Sequence, residues 1–332
     1  MPSLDPAVAE IRRAVRAALA EMTDAAVVGL SGGADSLALT AALAFEAPKA
    51  GISVAAVIVD HGLQPGSAEA AERAAAQASA LGLEAEVVRV RVASSGDGPE
   101  AAARDARRAA LREAVRRRGA RSVLLAHTLD DQAETVLLGL ARGSGGRSIA
   151  GMRRDFPPFH RPFLDLTRAQ TEQACHAQGI EFWTDPHNAD PRFLRPRVRR
   201  RVLPVLEEEL GPGVAATLAR TADQLREDME ALDRLADAAY LEVEVSGVER
   251  ERAVVLSVPE LTRTETALRR RVLRTAALDA GAIDAELFRV HVLALDELVT
   301  AWRGQVMVQL PGHVEATRSG DTLRIGRRPV AG

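Results

Sequence analysis

Ala25-Ala26-Val27-Val28-Gly29-Leu30-Ser31-Gly32-Gly33-Ala34-Asp35-Ser36 decides the fold. An apolar run of strand length ends in a Ser-Gly-Gly turn, and a Leu/Ala-rich helical pattern from Leu37 to Phe45 starts at once. The reading is strand, tight loop, helix. Gly32 and Gly33 let the backbone come close to an anion, while Ser31, Ser36 and the free N–H groups of the first helical turn supply donors at the positive helix end. The expected ligand is a phosphate group. A Walker A loop is excluded because it needs a lysine beside the phosphates, and Lys49 is the only lysine in the chain. The dinucleotide pattern Gly-x-Gly-x-x-Gly is also missing from this turn.

Outward from this loop, apolar runs alternate with helical patterns. Pro6–Thr23 reads as an amphipathic helix, with Ile11, Val15, Ala18 and Met22 near helical spacing. Ile52–Val59 fits a strand buried on both faces and ends in Asp60-His61-Gly62-Leu63. Helix Ser67–Leu81, strand Glu84–Val90, helix Glu100–Arg118, strand Ser122–Ala126 and helix Asp130–Arg142 follow. This alternation predicts a doubly wound parallel sheet, whose ligands bind at the carboxyl ends of the strands beside a topological switch point. Ser31, Asp60-His61 and His127 occupy those ends and are expected to converge.

Beyond Arg154 the pattern becomes irregular and Pro-rich from Phe156 to Pro162, then gives a helix at Arg168–Gln178 and a short apolar Ile180–Trp183. Asp185-Pro186-His187-Asn188 and an arginine cluster (Arg192, Arg195, Arg197, Arg199, Arg200, Arg201) come next. Val214–Leu241 reads as a long connector helix. Val254–Leu256, helices Thr264–Ala280 and Ala285–Leu295, and the alternating Gln305–Leu310, His313–Thr317 and Thr322–Gly326 predict a small α+β domain. Ser319-Gly320-Asp321 is its expected hairpin turn. The expected domains are residues 1–210 and 211–330.

Composition narrows the class. A chain of 332 residues with 47% hydrophobic residues supports about two domains with real cores. No signal peptide or membrane span is expected, so a cytoplasmic location is predicted. The lone cysteine, Cys175, excludes an internal disulfide and a multi-cysteine metal site, and is expected to be a small core residue. A net charge of −3 does not advertise nucleic-acid binding, but the arginine cluster supplies a local basic strip suited to phosphates. Glu207–Glu209 offers it an alternative partner.

The block Ala126-His127-Thr128-Leu129-Asp130-Asp131-Gln132-Ala133-Glu134-Thr135 is the second chemical signal. Asp130, Asp131 and Glu134 fall three and four apart at a helix start, so they share a face that could hold Mg²⁺ or an ammonium group as well as favour the helix dipole. His127 is a candidate general acid or base, or a donor to a developing oxyanion.

Together these motifs resemble the tRNA(Ile)-lysidine synthase family of PP-loop ATP pyrophosphatases, with its adenine nucleotide α-hydrolase-like fold. The resemblance runs over residues 25–206. It rests on Ser31–Ser36, Val59-Asp60-His61-Gly62-Leu63, Glu100-Ala101-x-Ala103-Arg104-x-x-Arg107 and the His127 block. It continues through Arg142-Gly143-Ser144-Gly145, Gly151-Met152, Arg161-Pro162-Phe163-Leu164, Asp185-Pro186-x-Asn188, Arg195-x-x-x-Arg199 and Leu203-Pro204. Arg108 stands where that family usually has tyrosine.

The resemblance implies adenylation by ATP of C2 of the wobble cytidine of tRNA(Ile) with a CAU anticodon, followed by attachment of free L-lysine. It implies ATP contacts from Ser31, Gly32, Gly33, Ala34, Asp35, Ser36, Asp60 and His61. Asp35, His127, Asp130, Asp131, Glu134 and Arg104 are the catalytic candidates, with Asp35 and Asp131 as Mg²⁺ ligands. Arg107, Arg195, Arg197, Arg199 and Arg200 are the tRNA candidates. The second domain is expected to grip tRNA. Competing readings are a tRNA cytidine thiolase, which cysteine usage disfavours, a small-molecule amide-forming synthase, and a non-catalytic RNA-binding module.

Overall fold

The computed structural model describes residues 4–23, 25–62, 66–91, 99–143, 145–183, 193–245 and 253–327. Asp185–Asn188, Arg192, Leu63 and Ser144 lie outside that set. Two compact units, Met1–Ala222 and Asp223–Gly332, divide within a helix that runs from Val214 to Val243.

In the first unit, α1 (Pro6–Ala20) begins at Asp5, whose carboxylate accepts from the Ala7 N–H at 2.8 Å, with Pro6 at the first helical position. It stops short of the expected Thr23 because the Glu21 and Met22 amides turn back onto the carbonyls of Ala18 and Leu19. Strand β1 (Ala26–Leu30) lies at the middle of the sheet, flanked by β2 (Val54–Asp60) and β4 (Ser122–Leu124). Outside β2 lies β3 (Glu84–Arg89). Outside β4 lie β6 (Phe159–His160) and then β5 (Asp155–Phe156). Every neighbouring pair is parallel except β5 with β6. The Pro-rich segment expected to be irregular therefore closes the sheet edge as a small hairpin.

Period-two alternation explains why β1 is apolar throughout. Val28 and Leu30 face a core shared with α1, α2 (Ala34–Glu46), α3 (Ser67–Ala80) and α7 (Arg168–Ala177). Val27 faces a second core, where Leu111, Ala114 and Val115 of α4 (Pro99–Arg117) pack with Val57, Val123 and Phe159. Buried on both faces, the strand has no room for the polar half of a solvated strand. At the far end of α2 the Phe45 ring lies beneath both Arg12, at 3.5 Å, and Lys49 Nζ, at 3.3 Å. The buried Glu46 carboxylate accepts from Arg16 and Lys49, each at 3.4 Å.

The remainder of this unit is helical. α5 (Leu129–Arg142) and the short α6 (Gly146–Ile149) pack closely. A Cβ on Gly139 would stand 2.0 Å from the Ser148 carbonyl oxygen, so only glycine permits that approach. α8 (Leu194–Arg197) leads through a π-helical turn, Val198–Val202, into α9 (Leu203–Glu209). Among the described residues Glu207 pairs with none of the cluster's arginines. Its oxygens accept from the Gly213 and Ala215 amides at 2.6 and 2.8 Å, at the start of α10 (Val214–Val243).

The second unit is an antiparallel sheet of order β7 (Ala253–Ser257), β10 (Thr322–Arg327), β9 (Val314–Ser319) and β8 (Val308–Leu310). Its hairpin turns at Gly320, where φ is +56°. α11 (Val258–Arg263), α12 (Thr266–Asp279) and α13 (Arg289–Thr300) cover it. The last helix starts later than the expected Ala285. Asp284–Glu286 forms a separate 3₁₀ turn, and the His291 ring accepts from the Phe288 N–H at 3.1 Å, fixing a new helix start. Buried Asp296 takes Arg269 and Arg270, at 2.6 and 2.8 Å. No described helix is long and apolar enough to cross a membrane.

Candidate functional site

The switch point of the first sheet falls between β1 and β4, which are adjacent and parallel, Val28 opposite Leu124. The chain leaves β1 at Ser31 and leaves β4 toward His127, so the two strongest sequence signals meet at neighbouring carboxyl ends. β2, on the other side of β1, ends in Asp60.

The phosphate-type loop is held by its own side chains. Ser36 Oγ accepts from the Ser31 N–H at 3.2 Å, lies 3.1 Å from Ser31 Oγ and donates to the Gly33 carbonyl at 2.9 Å. Gly32 adopts φ +83°, a left-handed conformation that a side chain would strain. Its carbonyl accepts from the Trp183 N–H at 3.0 Å. The chain returning from α7 thereby pins that oxygen, and the amides at the start of α2 are left without intrahelical acceptors.

Four carboxylates converge beside this loop. Thr128 caps α5, and its N–H donates to Asp131 Oδ2 at 2.9 Å. Asp131 Oδ1 takes Arg168 at 2.9 Å and Arg199 at 3.1 Å. Glu134, fully buried, receives the Arg199 fork at 2.6 and 3.1 Å. Asp130 accepts the Arg168 backbone N–H at 2.8 Å. Asp35, from the first turn of α2, accepts from Arg168 at 3.4 Å and from the Thr171 hydroxyl.

Burial raises Asp35 above the usual carboxylate range despite Arg168, and it raises Glu134 despite Arg199. Burial also works against the Asp131 anion, but Arg168, the Thr128 amide and Arg199 outweigh it and hold that carboxyl low. Burial alone would lower Arg168, whereas the surrounding acids Asp131, Asp35, Glu134 and Asp130 raise it. One nest thus holds carboxylates of divergent proton affinity.

His127 Nδ1 accepts from Arg161 Nε–H at 3.2 Å. A guanidinium only donates, so the proton of neutral His127 sits on Nε2. Burial, reinforced by the charges of Arg161, Arg195 and Arg107 against the pull of Asp131, lowers the imidazole to about 4. His127 is therefore a neutral Nε2–H donor. The Arg107 charge also bears on His61, which burial lowers and Asp60 opposes. Both His61 ring nitrogens are buried and unpartnered among the described residues. Asp60 accepts from the Gly62 N–H at 2.9 Å.

Sequence reasoning missed Arg161, Arg168 and Thr171. Arg161 lay within a quoted motif without a role. Arg168 and Thr171 had no local signal, because their partners stand 37 and 136 residues away in sequence. Arg199 was grouped with the basic strip, yet it turns into the acids. Arg195 also turns inward, its guanidinium 3.5 Å from Thr135 Oγ1. Arg197, Arg200 and Arg201 are exposed, as is Arg104.

The oxygens of Asp35 and Asp131, the expected Mg²⁺ pair, are engaged by Arg168, Arg199, Thr171 and Thr128. Among the described residues no three His, Cys, Asp or Glu side chains are grouped to hold a metal. The donor set does not fit a metal caged by the protein alone.

A family profile for a PP-loop domain matches residues 7–206, and a profile for a TilS substrate binding domain matches residues 256–324. A tRNA(Ile)-lysidine synthase from Leifsonia xyli subsp. xyli is 55% identical over 287 residues, 86% of this chain and 85% of that protein. The chain belongs to the tRNA(Ile)-lysidine synthase family. A family member from Streptomyces coelicolor is 50% identical, covering 90% of this chain and 84% of its own length, and one from Mycobacterium tuberculosis is 52% identical, covering 92% and 87%. Among solved structures, a U34-tRNA thiolase from Methanococcus maripaludis shares the fold, with a TM-score of 0.57 at 19% identity over 67% of this chain and 80% of that one. In this family member, the phosphate-type loop and the acid nest therefore belong to a PP-loop domain.

Proposed function

We propose that this chain makes lysidine in the CAU anticodon of tRNA(Ile), using ATP and free L-lysine and releasing AMP and pyrophosphate. Family membership at about half identity over most of the chain supports the reaction. The observation that carries its placement is the meeting of Ser31–Ser36 with the His127–Glu134 block at adjacent strand ends.

ATP lies with its phosphates on the loop Ser31–Ser36, against the amides of Gly32–Ser36. Cytidine O2 forms a bond to the α-phosphorus as the bond to pyrophosphate breaks, and negative charge grows on phosphate oxygens. Loop amides and His127 Nε2–H donate to that charge. The lysine ammonium then enters the acid nest, where Asp35, Asp130, Asp131 and Glu134 outnumber Arg168 and Arg199. Glu134, whose proton affinity is raised, takes the ammonium proton, while Asp131 stays an anion and orients the amine. The amine nitrogen bonds to C2 as the C2–O bond to AMP breaks. Magnesium belongs to this reading as the counter-ion that travels with the triphosphate. Asp60 and His61 line the nucleotide side, and the exposed Arg104, Arg197 and Arg200 meet RNA phosphates. The setting is the cytoplasm, where tRNA and free lysine occur together.

A sulfur-inserting reading lacks its reagent. Cys175 is buried, donates to the Ala34 carbonyl at 3.4 Å and is pushed up to about 12 by burial, so it offers no thiolate. The test measures pyrophosphate release from ATP with and without a tRNA(Ile) CAU transcript, and lysine incorporation by mass spectrometry. Release that depends on the transcript and a lysine adduct at the wobble cytidine are expected. Release indifferent to RNA overturns the reading.

A further inference from the structure

Arg104, Arg108 and Arg112 recur every four residues along α4, about 6 Å apart on a helix. Their guanidinium groups have no carboxylate within ion-pairing distance among the described residues. The next arginines along the same helix behave differently: Arg116 pairs with Glu113, and Arg117 with Glu86 at 2.7 Å.

Arg108 and Arg112 rest on aromatic rings of the edge hairpin. The Arg108 guanidinium lies 5.5 Å from the centre of the Phe156 ring, and Arg112 lies 5.1 Å from that of Phe159. Phe156 and Phe159 are themselves stacked at 5.0 Å, and Arg161 covers Phe156 at 4.4 Å. Ring contacts of this kind fix the direction of a guanidinium while leaving its N–H edge available to an acceptor. Partial burial works against the Arg108 cation, and Arg104 and Arg112 press on it as like charges against the pull of Asp105. A row of cations without ion-pair partners, two of them prepositioned on rings, costs the free protein electrostatic energy, which a line of anions relieves.

Resting on the function proposed above, we infer that Arg108 and Arg112 form a track for the tRNA sugar-phosphate backbone, continuous with Arg104 at the end of α4 nearest the catalytic crevice. α4 connects β3 to the parallel β4, so its first turns lie at the carboxyl ends of the strands and its later turns recede from them. The track leads RNA away from the crevice along α4, over the β5–β6 hairpin. The spacing of four residues suits successive phosphates, and the fork geometry suits their oxygens. Arg108 thereby contributes a phosphate contact at the position where the family usually carries a ring.

The test uses the full chain and a tRNA(Ile) CAU transcript, measuring Kd across a salt series for wild type, the double variant Arg108→Ala/Arg112→Ala and the control Arg117→Ala. ATP affinity is measured in parallel. The double variant is expected to lose about 1.4 from the slope of log K against log salt, about 0.7 for each contact. Arg117→Ala and ATP affinity are expected to match wild type. An unchanged slope in the double variant, or an equal loss in Arg117→Ala, overturns the track while leaving the proposed function intact. A wild-type chain that binds no transcript overturns both. Should the double variant fold poorly, Arg108→Gln/Arg112→Gln, which keeps bulk and hydrogen-bonding capacity, gives the same reading.

Discussion

His127 and Arg161 define what one side chain can do here. Because Arg161 donates to Nδ1 at 3.2 Å, the imidazole is locked as an Nε2–H donor, which suits the oxyanion-donor role that the proposed function gives it. Removing a single preorganised donor to developing charge costs roughly 10²-fold or more in rate. Arg161→Met is expected to slow single-turnover adenylation by about that factor and to shift the His127 ¹⁵N resonances toward a mixture of tautomers. Arg161→Lys, which keeps a donor, should retain more of both; unchanged resonances in Arg161→Met would sink the assignment. The same burial has a consequence for stability. His127 falls from an ordinary 6.5 to about 4 in the folded chain, so between those values the unfolded chain binds a proton that the folded chain refuses. Stability from this group is full above pH 6.5 and is lost as pH falls toward 4, on the order of 3 kcal/mol in all. Asp35 and Glu134, both raised, slope the opposite way. The difference between wild type and His127→Gln in denaturant melts isolates the histidine, and wild type is expected to gain stability relative to the variant as pH rises from 4 to 6.5.

Among the elements, the π-helical turn Val198–Val202 changes the meaning of an arginine run. A widened turn re-aims the side chains it carries, and such turns gather at functional sites. Here Arg199 reaches Glu134 and Asp131 while Arg200 and Arg201 stay in solvent. Glu134 has no exposed surface, so stripping its hydrogen-bonded partner leaves a buried carboxylate facing only Arg168, at 3.8 Å. Arg199→Ala is expected to destabilise by about 3–5 kcal/mol, and Arg200→Ala by less than about 0.5 kcal/mol. In a double-mutant cycle, Glu134→Gln/Arg199→Met should cost clearly less than the sum of the single changes; additive costs would mean that the pair is not coupled. This is where legibility from sequence stopped. The strands β1 and β2 and the helices around them were readable because their residues are apolar on both faces or at helical spacing, and those patterns are local. The brief β5–β6 hairpin was not, since pairs such as Phe156 with Phe159 take their strand character from the neighbouring β4. Asp35, Asp130, Asp131 and Glu134 were found because they punctuate helix starts beside a phosphate-type loop. Arg168 was not, because nothing near it in sequence announces an acid 37 residues away.

Across the whole molecule, each unit carries its own apolar core, the first on both faces of a parallel sheet and the second beneath α12 and α13. The order of motifs foretold a doubly wound sheet followed by a smaller α+β unit, but the charge balance could not reveal how arginine is distributed between buried acids and open surface. The near absence of lysine has its own chemical meaning. The chain's single lysine, Lys49, stands just past the end of α2, a helix of 13 residues whose other end is the phosphate-type loop, roughly 20 Å away. Its amine is tethered there against Phe45 and Glu46. The proposed chemistry creates a nucleobase primed for capture by any primary amine. With no side-chain amine of its own at hand, the enzyme cannot trap itself on that electrophile, and the activated base waits for an amino acid delivered from solution.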